Sequence, residues 1–126
     1  MFPLDIAIWE RFLDEFGRDY KGFEYDVKVG TGSIPEPETP ENYARMEEIL
    51  SKYRIDAVGI KPNQLEIIEV KPDASTTAIG QVTTYLNLYK RDFAPTIPIR
   101  GVIVTDREIG DIVHLTKELD FDYYIV

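Results

Sequence analysis

Residues 54–105 constrain the fold more than any other part of the chain, because they alternate apolar runs with turn and helix signals. Two short apolar runs are separated by the turn sequence Lys61-Pro62-Asn63-Gln64, a pattern that predicts a β-hairpin. An amphipathic stretch and a third apolar run follow, and a helix between strands indicates an α/β fold. In chain order, the predicted strand, strand, helix and strand are residues 54–60, 65–71, 75–91 and 99–105.

The flanking residues predict further elements of the same kind. Helical spacing or strand alternation of the apolar side chains recurs on both sides of the central stretch. The predicted helices are residues 4–16, 41–53 and 107–118, and the predicted strands are residues 23–29 and 121–126. Residues 30–40 contain three prolines and two glycines and are predicted to form a loop. The chain, residues 1–126, is therefore predicted to form one α/β domain, a mixed β-sheet flanked by helices.

Composition excludes several classes of protein. With 126 residues, of which 44% are hydrophobic, the chain fits one domain with a globular core. It has no cysteine and one histidine, which excludes a disulfide scaffold, thiolate chemistry and multi-histidine metal sites. No segment approaches the ~18 apolar residues of a membrane span, and the N-terminus lacks the pattern of a signal peptide. We therefore expect a cytoplasmic protein without membrane association; for a virus-encoded chain, the host cytoplasm or a virion fits equally well.

One group of charged residues lies within the predicted hairpin, among apolar neighbours. Glu69 and Lys71 are two positions apart on a strand, so their side chains project from the same face. Asp56, on the adjacent antiparallel strand, is flanked by Ile55 and Ala57, and a carboxylate there needs a partner or a metal ion. Two carboxylates and a backbone carbonyl are suitable oxygen ligands for Mg²⁺ or Mn²⁺. The lysine can then orient or deprotonate a water, or offset the charge of a phosphodiester transition state.

The same residues also have a simpler interpretation. An acidic residue two positions before a lysine is a common strand pattern, and it is often a solvent-exposed ion pair of little energetic weight. In the predicted helix 75–91, amphipathicity alone accounts for a Tyr85 that faces the core and a Gln81 that faces solvent. The residue pattern by itself leaves both interpretations open.

The sequence in this region resembles the PD-(D/E)XK nuclease superfamily. The family pattern is an aspartate followed, after a spacer, by an acidic residue, any residue and a lysine; Asp56 and Glu69-Val70-Lys71 match it. Gln81-Val82-Thr83-Thr84-Tyr85 resembles the Gln-hydrophobic-X-X-Tyr motif of RecB-like nucleases. The stretch that begins at Ala78 is also similar to the corresponding helix of NucS-type DNA endonucleases. Together these similarities cover about residues 54–105.

The resemblance implies a fold and a metal site. The implied fold is a restriction-endonuclease-like αβββαβ core, here with an inserted helix and an extra C-terminal αβ unit. By the resemblance, Asp56 and Glu69 bind Mg²⁺ or Mn²⁺ together with the Val70 carbonyl, and Lys71 assists the attacking water. The proline that precedes the aspartate in the family pattern is replaced here by Ile55, which is a frequent variation.

The resemblance also implies supporting residues outside the hairpin. Gln81 and Tyr85, one helical turn apart, would hydrogen-bond active-site groups or the nucleic-acid backbone. Many relatives add a metal ligand from the first helix, and we choose Glu10 because it is adjacent to Trp9 on the apolar stripe. A solvent-exposed helical charge is the alternative interpretation of Glu10. The other available acidic residues are Asp14, Glu15, Glu47 and Glu48.

Two functional hypotheses follow. The first is a metal-dependent nuclease that hydrolyses DNA phosphodiester bonds; the second is a non-catalytic module of the same fold that serves assembly, for example in a phage particle or in head completion. The formal net charge of -9 disfavours tight DNA binding, yet residues 54–105 carry five acidic and six basic side chains. The excess acidity lies outside the motif-bearing stretch. We therefore expect weak DNA binding by the isolated domain, and a protein partner or homo-oligomer.

Overall fold

The structure is a computed structural model that describes residues 1–126. Its elements follow the predicted order, and most bounds agree to within a few residues. The helices are α1 (Pro3–Phe16), α2 (Glu41–Leu50), α3 (Thr76–Phe93) and α4 (Gly110–Glu118). The strands are β1 (Gly22–Val29), β2 (Tyr53–Ile60), β3 (Leu65–Val70), β4 (Ile99–Thr105) and β5 (Asp122–Ile125). None of the helices combines the length and apolar character needed to cross a membrane.

The five strands form one mixed sheet in the order β1-β2-β3-β4-β5. The pairs β1–β2 and β2–β3 are antiparallel, whereas β3–β4 and β4–β5 are parallel. The two parallel connections run through α3 and α4, since parallel neighbours need a crossover. The predicted fold class, a single α/β domain with a mixed sheet flanked by helices, is confirmed.

Helices cover both faces of the sheet, and the residue pattern explains which helix covers which face. On one face, Phe12 of α1 is fully buried against the β3 and β4 side chains Ile68 and Val104. On the other face, Val82 of α3 packs on Ile103. Successive strand residues therefore bury into opposite layers, as the near-continuous apolar runs of β3 and β4 require.

The antiparallel part of the sheet is interrupted beside Asp56. The β2–β3 ladder runs from Ile60–Leu65 to the pair Ala57–Ile68 and ends there. In β1, the residue opposite Asp56 in the register is Asp26, whose φ of 52° is left-handed. Such a backbone is unusual within a strand and bends it locally. At Asp56, β2 has therefore left the ladder with β3, and a gap opens between these two strands.

Helix α2 differs from its prediction. It ends at Leu50 rather than at residue 53, because Tyr53 pairs with Val29 and begins β2. The predicted loop 30–40 lies between β1 and α2 as expected. Helix α2 packs against no other helix or strand, and none of its residues is buried. The apolar stripe that predicted the helix is thus exposed to solvent; it consists of Tyr43, Met46, Ile49 and Leu50.

Tight packing at Gly101 fixes α3 on the sheet and so positions the residues that α3 carries. A Cβ at Gly101 would lie 2.6 Å from side-chain atoms of Val82 and of Phe121. We expect Gly101→Ala to lower the free energy of unfolding by about 1–3 kcal/mol, because a packed core resists added volume. Urea unfolding measures this change. Gly80→Ala is the control: its Cβ meets nothing within 4 Å, so it should be neutral or stabilising by up to ~1 kcal/mol. Equal stability of the two variants would contradict the packing argument.

Candidate active site

A cavity of about 570 Å³ opens where β2 and β3 separate. Its walls come from the start of α1, from β2, from the end of β3 and from α3. The structure brings together here every site residue predicted from the sequence except Glu10. These lining residues are Asp56, Glu69, Val70, Lys71, Gln81 and Tyr85.

The gap between the strands explains how Asp56 is held. The Val70 amide points toward β2, but the ladder has already ended, so it has no backbone partner there. Instead it donates a hydrogen bond of 2.9 Å to Asp56 Oδ2. Because the N–H and C=O of one strand residue point to the same side, the Val70 carbonyl also faces this gap. A carboxylate oxygen of Asp56 and the carbonyl oxygen of Val70 thus lie at the same gap between β2 and β3.

Glu69 and Asp56 form a coupled pair of carboxyl groups. Glu69 is only 7% exposed. Burial raises the pKa of Glu69 to about 8; the charge of Asp56 adds to this shift, and Lys71 opposes it. Burial also raises the pKa of Asp56, while the hydrogen bond from Val70 opposes the rise. Each carboxyl shifts the pKa of the other, and with the pKa of Glu69 at about 8 the pair holds a proton at neutral pH.

Lys71 and two residues of α3, Gln81 and Tyr85, line the same cavity as these carboxyls. The Lys71 amide continues the parallel ladder with a 3.0 Å bond to the Val104 carbonyl, so its side chain keeps the orientation of Glu69. Gln81 Oε1 is buried and has no hydrogen-bond partner. The pKa of the Tyr85 phenol is raised by burial and by the charges of Glu69 and Asp56. An unsatisfied buried acceptor is rare, and this one faces a cavity that can hold a donor.

Two residues with charged side chains that the sequence analysis did not select also line the cavity. Asp5, in the first turn of α1, raises the pKa values of both Asp56 and Glu69. The sequence does contain a signal for Asp5: this residue precedes Trp9 by four positions and so lies on the apolar stripe of the helix. Arg54 is the other residue, two positions before Asp56 on β2. No short motif marked it.

The predicted first-helix ligand, Glu10, is exposed and does not line the main cavity. It lines a neighbouring cavity of about 380 Å³, which Asp56 also borders. Its role as a metal ligand therefore stays a prediction. The rival candidates Glu47 and Glu48 lie on α2, which packs against none of the elements that build the site.

The oxygen atoms that line the cavity determine whether a divalent cation fits there. The structure has no group of three or more acidic or histidine side chains that could hold a metal ion. It does place two carboxyls with raised pKa values side by side, next to a gap that a main-chain carbonyl also faces. Mg²⁺ is commonly bound by one or two carboxylates with waters completing its octahedron. The residues present fit such an ion, and its charge would replace the shared proton.

Comparison with known proteins adds information about the fold. No protein-family model matches the sequence, and no curated protein gives a significant match to it. Among solved structures, the chain is similar to a repair endonuclease from Pyrococcus abyssi, with a TM-score of 0.58 and 14% identity over 100% of this chain and 47% of that one. A protein from Vibrio cholerae has a TM-score of 0.50 and 15% identity, over 96% of this chain and 28% of that one. The chain thus spans less than half the length of either protein, and it has a nuclease-like fold.

Proposed function

We propose that the protein is a metal-dependent nuclease of the PD-(D/E)XK type that hydrolyses DNA phosphodiester bonds. One observation carries the proposal: residues from β2, β3 and α3 that match the family motifs line a single cavity. A bystander ion pair would not require a buried carboxyl beside a half-buried one, or an unsatisfied glutamine oxygen in the same place. The fold shared with part of a repair endonuclease supports the same reaction class.

In this proposal the metal ion is Mg²⁺ or Mn²⁺. Asp56, Glu69 and the Val70 carbonyl would hold it, with water in the remaining positions. When bound, the ion supplies charge stabilisation at the phosphate and a more acidic water. The pair's shared proton must leave for the ion to bind, so binding should weaken as the pH falls below about 8, the value to which burial raises the pKa of Glu69.

The side chains around the ion then have separate tasks. Lys71 orients the attacking water and offsets the negative charge that grows on the phosphate oxygens. Gln81 Oε1, which has no partner, accepts a hydrogen bond from that water. Tyr85 donates its hydroxyl to a phosphate oxygen, which suits a phenol whose pKa is raised. The water oxygen bonds to phosphorus and loses a proton to solvent. The phosphorus–oxygen bond to the leaving nucleotide breaks, its electron pair stays on the leaving oxygen, and solvent protonates that oxygen.

The charge of the chain bears on how it meets DNA. Its net charge of -9 works against non-specific attraction to phosphates, although residues 54–105 carry one more basic than acidic side chain. We propose that the domain acts in the cytoplasm within a larger complex or a homo-oligomer that supplies most of the DNA affinity. In that arrangement the cavity cleaves the DNA, and the complex or homo-oligomer brings the domain to it.

Cleavage assays test the proposed reaction. Purified protein is incubated with plasmid DNA and with single-stranded DNA, in Mg²⁺, in Mn²⁺ and in EDTA. We expect cleavage with either metal ion and none in EDTA. Absence of cleavage on both substrates, together with absence of metal binding by calorimetry, would contradict the proposal.

A second candidate function is favoured by one observation, the exposed apolar stripe of α2. In this case the nuclease fold is retained without catalysis, and the chain serves assembly through a protein partner or another copy of itself, as in a phage particle. Light scattering and DNA retention at low salt distinguish the two. A stable oligomer with no DNA affinity and no cleavage would favour the assembly function.

A further inference from the structure

Two basic residues stand side by side on β1 and β2, and one of them lines the cavity. Arg54 lines the cavity that contains Asp56 and Glu69. Lys28, on β1, is the direct cross-strand partner of Arg54. Directly opposed residues of an antiparallel pair project from the same face, so the two cationic side chains are neighbours. Both are exposed.

Structural stability does not explain this pair. Like charges directly opposite each other on a sheet are destabilising. Neither cation has a carboxylate oxygen within 4.0 Å, although the chain has 23 acidic side chains against 14 basic ones. Asp26, two residues before Lys28, is not paired with it either. Four of the other six arginines are paired with a carboxylate, namely Arg45, Arg91, Arg100 and Arg107, and what distinguishes Arg54 from the remaining two is the second cation directly opposite it.

We propose that Lys28 and Arg54 form a phosphate-binding subsite that holds the nucleic-acid strand beside the phosphate undergoing hydrolysis. Arg54 and Asp56 are two residues apart on one strand, about 6.6 Å along it, so a phosphate at Arg54 lies next to one at the carboxyls. An anion between the two cations relieves their repulsion. The guanidinium can bind two phosphate oxygens at once, while the ammonium acts as a point charge. The inference rests on the proposed nuclease function for the identity of the anion.

The test measures binding of fluorescein-labelled DNA, single-stranded and duplex, by anisotropy over a series of salt concentrations. All variants carry Asp56→Asn, so that bound DNA is not cut. Arg54→Gln and Lys28→Gln each remove one charge beside the cavity. The matched control is Lys117→Gln, which removes one charge from an exposed, unpaired lysine on α4. Arg54→Lys keeps the charge but loses the guanidinium, which can bind two phosphate oxygens at once.

We expect Arg54→Gln and Lys28→Gln to weaken DNA binding roughly five- to tenfold at about 0.1 M salt, and to lower the slope of log affinity against log salt by about 0.7–0.9. Lys117→Gln should change neither, and Arg54→Lys should retain the slope. Melting temperatures of both Gln variants should equal or exceed that of the parent, because repulsion is removed. The inference would be overturned by equal effects on DNA binding at Arg54 and Lys117, or by no effect at Arg54 and Lys28. A lower melting temperature for Arg54→Gln would overturn it as well.

The outcome is separable from that of the proposed function. If wild-type protein cuts no DNA but DNA binding still depends on Arg54 and Lys28, the nuclease proposal fails and the subsite stands. If wild-type protein cuts DNA and neither cation affects binding, the subsite fails and the nuclease proposal stands.

Discussion

Lys71→Ala is expected to lower the rate of DNA cleavage by about 10²- to 10⁴-fold, the range typical for a side chain that moves or orients a proton in the transition state. The Lys71 side chain makes no hydrogen bond or ion pair with the rest of the protein, so its removal should leave the fold intact. Initial rates of plasmid cleavage at saturating Mg²⁺ give the effect, and thermal unfolding checks the fold.

The control is Lys117→Ala, which removes an exposed lysine far along the chain on α4. It should cleave at the wild-type rate. Wild-type cleavage by Lys71→Ala would show that the ammonium group takes no part in the reaction.

The second large effect concerns stability. The metal-free protein is expected to lose a few kcal/mol of unfolding free energy as the pH rises from about 5 to about 8. The pKa of Glu69 is about 8 in the folded protein and near 4.5 when unperturbed, because burial and Asp56 disfavour its charge. The folded state therefore binds the proton more tightly than the unfolded state. The resulting stabilisation is complete below the unperturbed pKa and is lost as the pH passes through the folded-state value.

Glu69→Gln isolates this contribution, because it removes the titrating group and keeps the shape of the side chain. Chemical unfolding at several pH values should show a much flatter pH profile for this variant than for the wild type. Glu118→Gln, at an exposed position on α4, should keep the wild-type profile. Added Mg²⁺ should restore stability to the wild type at pH 8. Parallel pH profiles for wild type and Glu69→Gln would refute the coupled carboxyl pair.

Local pattern was sufficient to predict the sheet and the hairpin residues. The runs that became β2, β3 and β4 are apolar, short and bounded by turn or helix signals, and the structure confirms each of them as a strand. Asp56 was identifiable because a carboxylate within such a run needs a compensating group. Its hydrogen bond with the Val70 amide is a consequence of the strand separation, which no periodicity reveals.

Contacts between distant parts of the chain were not predictable in this way. Asp5 acts on two carboxyls that lie about 50 and 60 residues later in the sequence; helical spacing places it on the apolar stripe but does not show what that stripe packs against. Helix α2 was predicted from its apolar stripe, but periodicity gives no information about what covers the stripe. In the structure nothing does.

Glu66 shows why burial of a carboxylate is not by itself evidence for a site. It is fully buried on β3, three residues before Glu69. Its oxygens, however, accept hydrogen bonds from Tyr20 and, at 2.7 Å, from Gln64, and they pair with Lys61 at 3.0 Å. Glu66 is therefore satisfied by the protein, whereas Glu69 has another carboxyl, that of Asp56, as its neighbour in the cavity wall. That contrast within one strand supports the end of β3 as the position of the proposed site.

The decisive measurement is anomalous scattering from crystals of the protein soaked in Mn²⁺ at pH 8. We predict one strong anomalous peak between the Asp56 and Glu69 carboxylates and within coordination distance of the Val70 carbonyl, and its loss in Glu69→Gln. No peak at this position, with the Lys71 ammonium lying between the two carboxylates, would contradict a metal-dependent active site.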